Sequence, residues 1–296
     1  MSICFATMAV GEGYVELAKK LICDIRRYFP ETPIYVLTDN PKSFVQFQNI
    51  YHVAFRRTGF WCIYHDKRKA MEAALQNHQA CLFLDADCRL VDRPPIESYE
   101  ELVPGVYGAY LQTFRFRFDA EIGRYKGSER FLKNTPKRRA RLLQIFCNEF
   151  GVDFWQCKYL QEAAVLLVFQ QKHHRFFRIW EYIGVGLSTK LFEEGEGYVF
   201  GIAAEHLGLA IAAIPKIDQW LFKDILTPAA KATLPVYRPL VSDRIRVTEQ
   251  FKMSPWGKTK RNLSALCRFF WFMPFWYVSR RAKYRQLALG VDAYDL

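Results

Sequence analysis

Residues 80–95 read ACLFLDADCRLVDRPP, a short apolar run followed by two closely spaced acids. The apolar run at 81–84 includes an aromatic residue and predicts a buried strand that ends where the acids begin. Asp85 and Asp87 are then expected at the carboxyl end of that strand. Ligands bind at this end in open α/β sheets, because the loops that leave the strands there are free to carry chemistry. The stretch therefore predicts a sheet and the place of its functional site.

Two carboxylates that are one residue apart can share a hard divalent cation, whose remaining positions are taken by water and phosphate oxygens. Asp85 and Asp87 are therefore the candidate metal ligands, and the pair is interpreted as a clamp for a metal-bound diphosphate. The alternative is a turn with two solvated acids. The strongly apolar strand in front of the pair favours the functional interpretation.

The N-terminal region predicts a βαβ unit. Strand-like residues 3–7 precede a glycine-containing turn and an amphipathic helix with apolar residues at 17, 21 and 25, and residues 34–39 form a second apolar strand. Such a unit belongs to a mostly parallel central sheet with helices on both faces, so the fold class is α/β and Rossmann-like. Further elements are predicted as a helix at 67–77, strands at 105–111 and 163–169, a helix at 172–183 and a buried helix at 201–213.

The chain has 296 residues, 51% of them hydrophobic, which is enough for one large core or two smaller ones. No basic region followed by a long apolar stretch opens the sequence, so no secretory signal and a cytoplasmic location are expected. The eight cysteines include no C-x-x-C pair, which favours reduced thiols over a zinc site or a disulfide framework. No apolar run reaches the ~20 residues that a membrane span needs.

The net charge of +12 indicates an anionic partner. Basic residues concentrate at 115–141 and again at 258–285, where they flank an aromatic stretch interrupted by Pro274. We expect a catalytic domain at 1–226 and a C-terminal extension at 227–296 that lies on an anionic membrane surface. The alternative is a C-terminal helix that packs its aromatic side chains on the core.

A set of segments occurs in a characteristic order along the chain. The segments are Phe5-Ala6-Thr7-Met8, Tyr14, a lysine-led helix, Leu82-Phe83-Leu84-Asp85-Ala86-Asp87 and Arg89-Leu90-Val91. In this order they resemble the nucleotide-sugar glycosyltransferases of the A-type fold. The resemblance is strongest to the retaining hexosyltransferase family that contains glycogenin and bacterial lipopolysaccharide glucosyl- and galactosyltransferases, and it covers roughly the first 210 residues.

The resemblance implies a donor site for a nucleotide-sugar, with a UDP-sugar as the first choice. It implies Thr7 and Met8 at the nucleoside and Tyr14 close to the base. Lys69 matches a helix lysine that contacts the donor phosphate or sugar, although a solvated lysine would look the same. Asp85, Ala86 and Asp87 would bind the donor, and the two acids would hold Mn²⁺ or Mg²⁺ against its diphosphate.

The resemblance also indicates catalytic candidates, which are Glu205 first, then Glu162, with Gln161 beside it. An acid near the anomeric carbon can deprotonate the acceptor or stabilise an oxocarbenium-like state. For Glu205 the alternative is a helix-face acid paired with a basic neighbour. The family's third metal ligand is a late histidine, whereas this chain has no histidine after His206.

The expected function is a metal-dependent glycosyltransferase, of retaining hexosyltransferase type, that extends a saccharide or glycolipid acceptor at the cytoplasmic membrane face. One alternative is a phosphatase of the haloacid-dehalogenase type, in which the first acid of an Asp-x-Asp pair is the nucleophile. Another is a non-enzymatic basic protein that binds nucleic acid. Nucleic acid is not the expected partner, because unmetallated aspartates would repel phosphate.

Overall fold

The computed structural model describes residues 2–55, 64–117, 135–161, 163–169, 174–188 and 195–223. The strands in these ranges are β1 (Ile3–Ala9), β2 (Ile34–Thr38), β3 (Ile50–Ala54), β4 (Ala80–Leu84), β5 (Arg89–Leu90), β6 (Gly105–Gly108), β7 (Leu111–Thr113), β8 (Lys158–Leu160), β9 (Ala164–Val168), β10 (Ala210–Ala213) and β11 (Leu221–Phe222). The α-helices are α1 (Glu12–Tyr28), α2 (Lys67–Ala74), α3 (Thr135–Phe150), α4 (His174–Ser188), α5 (Glu196–His206) and α6 (Ile217–Trp220).

A seven-stranded sheet forms the centre of the fold, in the order β10-β6-β9-β4-β1-β2-β3. Strand β9 is antiparallel to both of its neighbours, and the other pairings in the sheet are parallel. The α/β class and the mostly parallel sheet that the sequence predicts are confirmed. Two further pairs, β5 with β11 and β7 with β8, lie outside this sheet.

Both faces of the sheet are buried, which explains why its inner strands are apolar along their whole length. On β1, Cys4, Ala6 and Met8 belong to one core layer, and Phe5 and Ala9 belong to the other. Helix α1 covers the face of Phe5, whereas α2, α4 and α5 cover the face of Cys4. The prediction of helices on both faces is confirmed.

The chain order creates a switch point between β1 and β4. From β1 the chain moves outward to β2 and β3, and it then returns to place β4 on the other side of β1. At such a point the connections leave neighbouring strands in opposite directions and open a crevice at the carboxyl ends of the strands. The crevice is therefore expected where β1 and β4 end, next to Ala9 and Asp85.

Two of the predicted elements differ from the structure. The buried helix predicted at 201–213 is wrong in its second half, because α5 ends at His206 and residues 210–213 form strand β10. Gly208, with a φ of 64°, follows the end of the helix and turns the chain. The strand predicted at 105–111 is divided into β6 and β7. Small apolar residues suit a buried helix and a buried strand equally, so their pattern does not separate the two.

Some expectations fall partly or wholly outside the described residues. Within the basic region at 115–141, helix α3 begins at Thr135, and residues 118–134 are not described. The C-terminal extension at 227–296 is also outside the described ranges. Among the helices that the structure describes, none has the length and apolar character needed to cross a membrane.

Candidate functional site

The two aspartates lie at the carboxyl end of β4, where the sequence predicts them, and they mark the candidate site. Asp85 follows the buried strand directly, and its backbone N–H donates to the carbonyl oxygen of Ala163 at 3.0 Å. The N–H of Cys88 returns to the carbonyl oxygen of Asp85 at 2.9 Å, which closes a tight turn over Ala86 and Asp87. Ala86 is buried, so it anchors the turn while the two acids on either side of it stay partly exposed.

Two lysine ammonium groups hold the carboxylate of Asp85. Lys67, the first residue of α2, places its Nζ 2.8 Å from Asp85 Oδ1, and Lys223 Nζ contacts Asp85 Oδ2. Lys223 Nζ also lies 3.1 Å from Asp87 Oδ1, so it bridges the two aspartates. Both lysine side chains are at least nine-tenths buried. The site is therefore a buried cluster of alternating charges.

The charges in this cluster stabilise each other. Burial alone would raise the pKa of the Asp85 carboxyl, but Lys223 and Lys67 overcome that effect and hold its pKa below the ordinary value. Burial would likewise lower the pKa of the Lys223 ammonium, and the carboxylates of Asp85 and Asp87 raise it instead. At neutral pH Asp85 is ionised and Lys223 is protonated.

Glu196 extends the cluster from α5. It is a buried residue in the first turn of that helix, and its Oε1 lies 3.2 Å from Lys67 Nζ. Lys67 therefore joins Asp85 at the end of β4 to the N-terminal end of α5. Buried carboxylates are rarely left without a partner, because desolvating an isolated charge costs several kcal/mol.

The predicted nucleoside residues lie along the same edge of the sheet. The register of β1 with β4 pairs Ala6 with Phe83, and its continuation places Met8 beside Asp85. The buried hydroxyl of Thr7, one residue earlier, finds no hydrogen-bond partner in the described part of the chain. Tyr14, in the first turn of α1, is 47% exposed. Thr7, Met8 and Tyr14 thus all lie on or just after β1, near its end at the crevice.

Gly11 and Asp39 connect the loops that follow β1 and β2. The N–H of Gly11 donates to both carboxylate oxygens of Asp39, at 3.1 and 3.2 Å. Gly11 has a φ of 86°, which a residue with a side chain would adopt only at a cost. This contact fixes the loop that leads into α1, whose first turn contains Tyr14.

Lys69 lies in a different environment from the one that the sequence indicates. Its Nζ is 3.0 Å from Asp66 Oδ1, three residues earlier. Successive helix residues are about 100° apart around the axis, so Lys67 and Lys69 leave α2 in nearly opposite directions. The lysine that contacts Asp85 is Lys67, and a donor contact of Lys69 stays a prediction.

The structure separates the three catalytic candidates. Gln161 is half-buried in the loop before β9, two residues from Ala163, which accepts the hydrogen bond of Asp85. Glu162 lies outside the described residues. Glu205 is exposed in the last turn of α5, nine residues after Glu196, which is about 14 Å along the helix axis. Gln161 therefore lies two residues from the backbone contact of Asp85, and Glu205 lies at the opposite end of α5 from Glu196.

The predicted Mn²⁺ or Mg²⁺ can be tested against these contacts. A divalent cation would need carboxylate oxygens of Asp85 and Asp87, and ammonium groups contact both oxygens of Asp85 and one oxygen of Asp87. The thiol of the neighbouring Cys88 is buried and donates to the carbonyl oxygen of Ala163. Within the described ranges no three His, Cys, Asp or Glu residues group as metal ligands. The cluster as arranged does not fit a divalent cation.

Three residues of this cluster were not predicted from the sequence, namely Lys67, Glu196 and Lys223. Lys67 lies in a run of three basic residues, and only the rotation of α2 about its axis decides which of them faces Asp85. Glu196 follows two other acids in the segment 193–196, which gave no reason to prefer it. Lys223 is 138 residues away from Asp85 in the chain, and no sequence pattern connects them.

Comparison with known proteins gives likenesses to solved structures but no sequence family. No protein-family model matches the chain, and no curated protein matches it. Among solved structures, the chain is similar to the galactosyltransferase LgtC in complex with donor and acceptor sugar analogs, with 13% identity and a TM-score of 0.45. The match covers 88% of this chain and 100% of that chain. At this level of similarity the structural likeness assigns no activity to this chain.

Proposed function

We propose that the protein is a glycosyltransferase that takes a sugar from a nucleotide-diphosphate sugar, with a UDP-sugar as the first candidate donor. The observation that supports this proposal is the charge cluster of Asp85 and Asp87 with Lys67 and Lys223, located where the switch point of a parallel sheet opens a crevice. A nucleoside would lie along β1, by Thr7, Met8 and Tyr14, and its diphosphate would reach the cluster.

The chemistry of transfer explains why charges are needed there. When the bond between the sugar and the diphosphate breaks, negative charge develops on the departing diphosphate. Fixed positive groups that are held in place before the reaction stabilise this charge without reorganising. Lys67 and Lys223 are such groups, because ion pairs and burial fix both side chains. The retaining outcome, the hexosyl donor and the catalytic roles of Gln161, Glu162 and Glu205 remain predictions within this proposal.

The phosphatase alternative is less well supported by the geometry. It needs the first aspartate as a nucleophile whose carboxylate oxygen can attack phosphorus. Each oxygen of Asp85 contacts an ammonium group, and the strand before it is the fourth in the described part of the chain. The basic segments that prompted the nucleic-acid alternative lie largely outside the described residues. Neither alternative gains a specific observation.

The proposal is tested by the thermal stability of the protein with UDP, GDP, TDP or CMP. A nucleotide that binds the folded state raises the melting temperature by mass action, by the equivalent of about 2.7 kcal/mol at a hundred times its Kd. We expect one nucleotide to raise it in the wild type and not in Asp87→Ala. Asp92→Ala, which changes an exposed acid of the following loop, is the matched control and keeps the shift. Absence of a shift with every nucleotide would contradict the proposal.

We further propose that the acceptor is a saccharide or lipid-linked saccharide at the cytoplasmic membrane face, and that residues 227–296 hold the enzyme there. The support is the sequence of this segment, in which aromatic residues are flanked by basic ones. Removal of residues 258–296 is expected to abolish sedimentation with anionic vesicles and to leave neutral vesicles unbound as before. Unchanged sedimentation of the truncated protein would contradict the membrane role.

A further inference from the structure

We propose that Lys223 takes the place of a divalent cation in the donor site, so that the protein binds the diphosphate of its donor without a metal. The ammonium group of Lys223, held between Asp85 and Asp87, would contact the phosphate oxygens directly. This inference rests on the proposed function, since it concerns how the same site binds the same class of donor. It replaces the sequence-based expectation of Mn²⁺ or Mg²⁺.

The position of Lys223 Nζ is the first support. It contacts Asp85 Oδ2 and lies 3.1 Å from Asp87 Oδ1, which is the bridging place that a cation shared by the two acids would occupy. Lys67 Nζ lies 2.8 Å from the other oxygen of Asp85. A metal could reach these oxygens only after the ammonium group of Lys223 had moved away.

The backbone fixes Lys223 at this position. Strand β11 pairs antiparallel with β5, with Leu221 opposite Leu90 and Phe222 opposite Arg89, so that the next residue, Lys223, lies beside the turn of the aspartates. The N–H of Val91 donates to the carbonyl oxygen of Trp220 at 2.9 Å and closes the pairing. Lys223 therefore enters the site from a paired and buried strand, unlike a long surface lysine that samples many positions.

Strand β5 is itself anchored to the core. Arg89 donates through Nε and a terminal nitrogen to the two carboxylate oxygens of Asp24 in α1, at 2.6 and 2.9 Å. The N–H of Leu90 donates to the same carboxylate at 3.2 Å. Asp24 is buried, and such two-point contacts fix orientation as well as distance. The aspartate turn and Lys223 are thus held against the same anchored strand.

The charge balance supports the same conclusion. The net charge of the cluster is zero when the carboxylates of Asp85 and Asp87 are counted with the ammonium groups of Lys67 and Lys223. Two carboxylates with one divalent cation have the same net charge. Glu196 adds a further negative charge next to Lys67. The two lysines therefore supply the positive charge that a metal would otherwise bring to the aspartates. A divalent cation in addition would have to share the pocket with two ammonium groups, and like charges at such distances repel strongly in a buried site.

The first test uses the wild-type protein and the nucleotide panel, in excess EDTA and in Mn²⁺ or Mg²⁺. We expect the same rise of melting temperature in EDTA as with either metal. A rise that requires the metal would overturn the role of Lys223 and leave the proposed function intact. Absence of a rise under all conditions would overturn the proposed function and this inference with it.

The second test is Lys223→Met, which keeps most of the apolar stem and removes the charge. We expect nucleotide binding in EDTA to weaken at least tenfold and to return with Mn²⁺, because the released aspartates can then hold the metal. Lys19→Met is the matched control, since Lys19 pairs with Glu16 on the surface of α1. This variant should still bind the nucleotide in EDTA. Unchanged binding of Lys223→Met in EDTA would overturn the inference. Should the variant fold poorly, the wild-type comparison in EDTA still decides.

Discussion

Asp85→Asn is expected to reduce sugar transfer at least about a hundred-fold and to lower the free energy of unfolding by about 3 kcal/mol. Asp85 contacts Lys67 through one carboxylate oxygen and Lys223 through the other. Asparagine keeps the shape but presents an amide NH₂, a donor, to one of these ammonium groups. The variant therefore loses both ion pairs and brings two donors together.

Denaturant unfolding measures the stability of this variant, and release of the nucleotide from a nucleotide-sugar measures its activity. Asp87→Asn serves as the comparison, because an ammonium group contacts one carboxylate oxygen of Asp87, whereas ammonium groups contact both oxygens of Asp85, so its stability cost should be smaller, about 1 kcal/mol. Asp92→Asn, an exposed acid, should stay within about 0.5 kcal/mol of the wild type. If both acids were equivalent ligands of a metal, replacing either by Asn would lower the free energy of unfolding by the same amount. Similar losses of stability in Asp85→Asn and Asp87→Asn would therefore contradict the lysine cluster.

The sequence predicted the sheet and the edge at which the two aspartates lie, and the physical reasons are local. The apolar run before Asp85 can be buried on both faces of a sheet, and it stops abruptly at the acids. The βαβ pattern at the start of the chain then requires parallel strands, whose carboxyl ends meet at one edge. Asp85 follows from this reasoning, because it comes directly after the apolar run. Thr7, Met8 and Gln161 were named through the family resemblance, and their roles stay predictions.

The contents of the site could not be predicted in the same way. Selecting Lys67 over Lys69 requires the rotation of α2 about its axis, which depends on where that helix starts and packs. Selecting Glu196 over Glu205 requires knowing which end of α5 lies at the sheet edge, because both acids belong to that helix. Lys223 reaches Asp85 only through the pairing of two short strands that are far apart in the chain. Each of these facts depends on the tertiary structure.

Gly201→Ala is expected to lower the free energy of unfolding by at least about 3 kcal/mol. Helix α5 lies so close to strand β8 that a Cβ atom at position 201 would be 1.7 Å from the carbonyl oxygen of Lys158. That oxygen belongs to backbone paired with β7, where Lys158 lies opposite Thr113, so it cannot retreat without breaking the pair. Alanine elsewhere in a helix is about 1 kcal/mol more favourable than glycine, so here even the sign of the effect is reversed.

Denaturant unfolding of Gly201→Ala should be compared with that of Gly151→Ala. Gly151 has a φ of 65°, and its added Cβ would meet no described atom within 4 Å, so its cost is the conformational one alone, about 1 kcal/mol. Helix α5, which packs closely on β8 at Gly201, also contains Glu196, which contacts Lys67. An α5 displaced from β8 therefore moves the carboxylate that holds Lys67, and nucleotide binding should weaken in the folded fraction of Gly201→Ala while Gly151→Ala keeps it. Equal stability of the two variants would mean that α5 and β8 are not in direct backbone contact.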